Sequence, residues 1–87
     1  MDNLKPNAKE FYNPSPEYIS GLIAIIQNKT GFSLAKIDYM LGLSRGTLRN
    51  YMRDPHTDER YRPHPYTVQF TLEELIKNLQ AAKDKSK

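Results

Sequence analysis

Apolar residues recur along this chain at helical spacing in four separate stretches. Ile19, Leu22, Ile23 and Ile26 form the first stripe, and Ile37, Met40 and Leu41 the second. Leu48, Tyr51 and Met52 form the third, and Val68, Leu72, Leu75, Ile76 and Leu79 the fourth. Steps of three and four residues place such side chains on one face of a helix. No stretch alternates apolar and polar in the manner of a strand. The pattern predicts an all-α fold, a single small domain of four to five helices.

Local chemistry sets the expected boundaries. Ser15 is an N-cap candidate, Pro16 suits the first helical position, and Glu17 favours the positive helix start. That helix ends at Thr30-Gly31, where glycine suits a C-terminal cap. Ser33 opens the next, with Phe32 and Ile37 at the separation of a hydrophobic staple, and Gly42 stops it. Ser44 is expected to cap a third helix, Arg45 to Met52. Pro65 opens the last helix. The "TLEE" of Thr71 to Glu74 fits a capping box and a restart there, but the apolar stripe passes Thr71 in phase and favours one helix. Residues 1–14, with Pro6 and Pro14, read as a flexible, irregular arm pinned by Phe11 and Tyr12. The domain is expected over 15–82, and 83–87 as a charged tail.

Composition narrows the function. The chain has 87 residues, a formal net charge of +3 and no cysteine, so there is no disulfide framework, thiolate nucleophile or cysteine zinc site. The N-terminus lacks a basic start followed by an apolar run, and "YISGLIAII" is too short to span a bilayer. The chain reads as cytoplasmic, with no membrane partner. His56 and His64 flank a polar loop, "DPHTDERYRPHP", in no zinc spacing, and read as solvated histidines. The acidic pairs Asp58-Glu59 and Glu73-Glu74 are accounted for by capping and solvation. With no glycine-rich phosphate loop and no nucleophile beside a matching base, the chain is read as no enzyme, with no cofactor, no metal and no small-molecule substrate.

The charge is uneven: between Ser33 and Arg53 the positive residues are Lys36, Arg45, Arg49 and Arg53, against a single Asp38. Within "GFSLAKIDYMLGLSRGTLRNY" (Gly31 to Tyr51) two short helices meet across "GLS", a connection that forces steeply crossed axes. Ile37, Leu41, Leu43, Leu48 and Tyr51 are placed to fix the angle. Arg45, Gly46, Arg49, Asn50 and Arg53 are left outward on the second helix.

This block resembles the phage-repressor and Cro-like (XRE) helix-turn-helix family, whose fold is lambda-repressor-like. Phe32-Ser33 at the opening, Gly42-Leu43-Ser44 at the turn and the apolar phase carry the resemblance, and "HPYTVQFTLEEL" is similar to the helix that follows in small phage-type members. It extends over roughly Ser15 to Leu79. Two positions depart from the pattern: Asp38 stands where the family usually has a small residue, and Leu34 where it often has glutamine. The resemblance implies double-stranded DNA as partner, bound by a homodimer, and a transcriptional regulator of phage or prophage type. Arg45, Gly46, Arg49 and Asn50 would then meet base edges, the arginines pairing with guanine and Asn50 with adenine. Lys36, Ser44, Thr47 and Arg53 would contact phosphate. Phe70, Leu75 and Leu79 are the expected dimer surface. The alternative is a protein-interaction module (inhibitor, adaptor or antitoxin) on the same fold, with the arginine face merely solvated.

Overall fold

The computed structural model describes residues 8–85, and the side chains within them except those of 8 and 82–85. Five helices follow one another: α1 (Ala8–Phe11), α2 (Pro16–Thr30), α3 (Leu34–Met40), α4 (Thr47–Tyr51) and α5 (Tyr66–Lys85), with no strand among the described residues. The all-α expectation holds.

Each long helix begins and ends where its sequence supplies the chemistry. The Ser15 hydroxyl accepts the Tyr18 N–H at 3.2 Å, Pro16 occupies the first turn, and Gly31 at φ 75° closes α2 by donating to the Gln27 carbonyl. Ser33 caps α3 in the same way, accepting the Lys36 N–H at 3.1 Å. Helix α5 runs through Thr71 without interruption and continues to Lys85, past the domain boundary expected at 82. Of the expected tail, 83–85 are therefore helical, while Ser86 and Lys87 lie outside the described residues.

The core is built from all four longer elements. Ile19, Leu22, Ile23 and Ile26 of α2 meet Ile37 of α3, Leu48 and Tyr51 of α4, and Val68 and Leu72 of α5. Helices α2 and α5 pack against each other, and α3 and α4 form a second contacting pair. Each fully buried Ile or Leu here removes apolar surface worth about 1.5–3 kcal/mol.

The arm expected to be irregular over 1–14 is regular at Ala8–Phe11; 1–7 lie outside the described residues. Ala8–Phe11 form one helical turn, and the segment after it is tied to α5. Gln69, fully buried, accepts the Asn13 N–H at 2.9 Å and donates to the Phe11 carbonyl at 2.8 Å. The Tyr12 hydroxyl donates to the His64 carbonyl. The expected pinning by Tyr12 is thus seen, but the buried amide of Gln69 holds the backbone.

His64 also differs from its sequence reading. It is wholly buried rather than solvated, with its ring edge-on to Tyr12 at 5.7 Å and to Tyr51 at 6.2 Å. Its Nε2 faces the Gln69 Oε1 at 3.4 Å, and Nδ1 has no partner. Burial holds the imidazole pKa below its ordinary value, against the opposing pull of Gln69.

Candidate nucleic-acid interface

Helices α3 and α4 are joined by a turn whose geometry follows from Gly42. At φ 75° this residue ends α3 in a left-handed conformation. The Leu43 N–H then reaches back to the Asp38 carbonyl at 2.9 Å and the Gly42 N–H to the Tyr39 carbonyl at 3.1 Å. That pair of bonds is a Schellman cap, which satisfies the last carbonyls of the helix.

The start of α4 is organised differently from the expectation that Ser44 caps a helix beginning at Arg45. Helix α4 begins at Thr47, and its N-cap is Gly46 at φ 90°, which has no side chain to offer. The missing oxygens come from Asp38, a core-facing residue of α3 only 2 % exposed. Its Oδ2 accepts the Gly46 N–H at 3.0 Å and its Oδ1 the Leu48 N–H at 3.0 Å. The Ser44 carbonyl, not its hydroxyl, takes the Thr47 N–H at 3.1 Å. A five-residue helix is too short to hold itself in water. A carboxylate on two of its first amides, with the sign the helix start favours, compensates.

Asp38 thus closes both sides of the turn, through its carbonyl on Leu43 and its carboxylate on Gly46 and Leu48. The buried face of α3 runs Leu34, Ile37, Asp38 and Leu41, whereas Met40, expected inside, is 43 % exposed. The left-handed conformation also explains Gly46. A Cβ there would meet no neighbour within 4 Å, so handedness rather than crowding selects glycine.

The residues expected to meet bases divide into two groups. Arg45, Gly46 and Arg49 share one shallow depression with Leu34, Ala35 and Asp38, between α3 and α4. Both of these arginines are exposed, although Arg45 lies in the turn before α4 and not on it. Asn50 does not line that depression; its Oδ1 accepts the Arg53 Nε–H at 2.8 Å and its carbonyl accepts the Arg62 N–H at 3.3 Å.

The expected phosphate contacts also scatter. Lys36 is exposed, with its Nζ standing 5.5 Å from the Phe32 ring centroid. Ser44 is exposed and Thr47 half-buried at the head of α4. Arg53 is turned into the following loop, where its Nη1 lies 3.0 Å from Asp58 Oδ2 and its side chain is only 19 % exposed. A phosphate would have to compete with Asp58 for it.

The loop 54–64 is ordered by its own carboxylates. Asp54 Oδ1 accepts the His56 N–H at 2.8 Å, and Asp58 Oδ1 the Arg60 N–H at 2.9 Å. The Arg60 backbone N–H, then its guanidinium and that of Arg53, hold the Asp58 carboxyl down to about 2. Among the described residues, no group of three or more His, Cys, Asp or Glu suited to a metal ion occurs, and no helix is long and apolar enough to cross a membrane.

A second concave surface lies among α1, α2 and α5. This cleft of about 480 Å³ is lined by Phe11, Ile25, Phe70 and Ile76, with Glu74 and Lys77 beside them. None of its lining residues comes from α3 or α4. On one wall the Tyr18 hydroxyl donates to Glu73, and this bond raises the phenol pKa to about 12.

Sequence reasoning missed Asp38, His64 and Gln69 as structural centres. For Asp38 a signal existed, since it falls in phase with Leu34, Ile37 and Leu41. Gln69 and His64 had none, because the Phe11, Tyr12 and Asn13 groups that they hold lie more than fifty residues away. No family model, curated protein or solved structure matches the chain.

Proposed function

We propose that this chain binds double-stranded DNA in a sequence-specific manner, as a transcriptional regulator of the phage-repressor and Cro-like type. The observation that carries the reading is the α3–α4 pair: a Schellman turn, a second helix capped from the first, and exposed Arg45 and Arg49 beside one another at its head. Such a unit places the start of a helix in a major groove about 12 Å wide, and guanidinium pairs in bidentate fashion with guanine. Arg45 and Arg49 are the base readers, Lys36 and Thr47 the phosphate contacts. Asn50 and Arg53 belong first to the loop junction. A recognition helix of five residues reads few base pairs, so two copies acting on half-sites about one DNA turn apart complete the reading.

Selection from a random duplex library at about 150 mM salt tests this directly, because non-specific contacts are screened there. An enriched palindromic sequence is the expected outcome. Arg49→Ala should then erase the preference, costing about 1–3 kcal/mol on the selected site and little on random duplex. Lys36→Ala should weaken both alike and reduce the salt slope by about one. Equal effects of the two substitutions on selected and random DNA would sink the assignment of roles.

The protein-interaction reading is favoured by a different observation, the apolar cleft of Phe11, Ile25, Phe70 and Ile76 on α1, α2 and α5. No enrichment and no duplex binding at low salt would transfer the function to that surface.

A further inference from the structure

The depression between Arg45 and Arg49 has an unusual floor for a site that faces DNA. Leu34 and Ala35, both half-buried, line it together with Gly46, which has no side chain. Asp38 lies at its base, but that carboxylate is 2 % exposed and both its oxygens accept backbone N–H groups of the α4 start. The concavity therefore brings two exposed arginines together with the apolar side chains of Leu34 and Ala35, in a volume of about 150 Å³. A neighbouring hollow continues it along α3, lined by Ala35, Tyr39, Leu43 and Arg45.

The side chains of Leu34 and Ala35 offer van der Waals contact and no hydrogen-bond donor, so an apolar group is their natural counterpart. In the major groove only thymine offers an apolar projection, its C5-methyl group, while guanine offers the O6 and N7 pair that a guanidinium chelates. We propose that the depression seats a thymine methyl group against Leu34 and Ala35, beside a guanine held by Arg45 or Arg49. Leu34 is then a specificity-determining residue, and each half-site contains a thymine next to a guanine. This inference rests on the DNA-binding reading above and names what that site selects.

Replacement of single thymines by deoxyuridine in the selected operator removes one methyl group and leaves every hydrogen bond intact. For the unaltered protein, one thymine adjacent to a guanine should be sensitive, with about four-fold weaker binding on replacement, the worth of one buried methyl. Leu34→Ala, checked for an intact thermal transition, should bind the thymine and deoxyuridine operators equally. An operator whose thymines are all replaced without loss overturns the inference and leaves the DNA reading standing. So does a Leu34→Ala variant that still discriminates. A library that yields no preferred sequence overturns both, and the two failures are therefore distinct.

Discussion

Two junctions in this molecule bury polar side chains, and they do so by opposite means. At the α3–α4 turn, Asp38 meets amides eight and ten residues away, and both of its oxygens are used. At the base of α5, Gln69 meets Asn13 and Phe11 across 56 and 58 residues, and beside it His64 keeps one ring nitrogen without a partner. The first junction is local and saturated. The second is long-range and incompletely satisfied. A buried polar group left without a partner costs about 1–3 kcal/mol, so the two should answer differently to mutation and to acid.

Removing Asp38 is expected to have the largest effect. Asp38→Ala strands the buried Leu48 N–H and the part-buried Gly46 N–H at the head of a five-residue helix; a buried orphan costs about 1–3 kcal/mol, and the helix loses its cap as well. Urea denaturation should therefore show a loss of about 2–5 kcal/mol, a large fraction of what a small domain has. A loss below about 1 kcal/mol would mean that the carboxylate does not hold the turn.

Gln69→Ala comes next. It frees the Asn13 N–H and the Phe11 carbonyl, but these are only part-buried and can be rehydrated. A loss of about 1–2 kcal/mol is expected, together with faster protease cleavage near Tyr12–Pro14 and little change around α4. Protection lost equally at both junctions would erase the contrast between them.

Acid should find the second junction first. Burial lowers the folded pKa of His64 below 6.5, so the unfolded chain takes up that proton earlier as pH falls. The stability contributed by the neutral ring is complete above about pH 6.5 and declines below it. Urea midpoints are expected to fall between about pH 7.5 and about pH 5.5, and His64→Phe, which keeps ring packing on Tyr12 and Tyr51, should flatten the fall. The Asp58 carboxyl is held down to about 2 and the Tyr18 phenol pushed up to about 12, both outside that window. An unchanged slope in His64→Phe would assign the acid response elsewhere.

The same division describes what could be read from the sequence. Ser15, Ser33, Gly31 and Gly42 act on amides and carbonyls within a few residues, so their roles are legible from neighbours alone. The apolar stripes identified α2 and α5 for the same reason. Gly46 was read as a helix-interior residue because its N-cap role depends on a carboxylate eight positions earlier. The ion pair of Arg53 with Asp58, five residues on, depends on the loop folding back, which residue types alone do not announce. His64 and Gln69 depend on a segment more than fifty residues away, and no local pattern announces that. Within the candidate interface, Arg45 and Arg49 were legible as outward cations, while Leu34 and Ala35 beneath them emerge only from the packing of α3 on α4.

The sequence separations at the two junctions also imply an order in time. Closing a chain segment of about 56 residues costs about 1.5 kcal/mol more loop entropy than closing one of about ten, and short loops close within about 10–100 ns. The Asp38 contacts can therefore form in the earliest encounters of a folding chain, whereas the Gln69 contacts must wait until α2 and α5 have met. Folding should run from the helix-turn-helix outward, with the N-terminal segment fastened last.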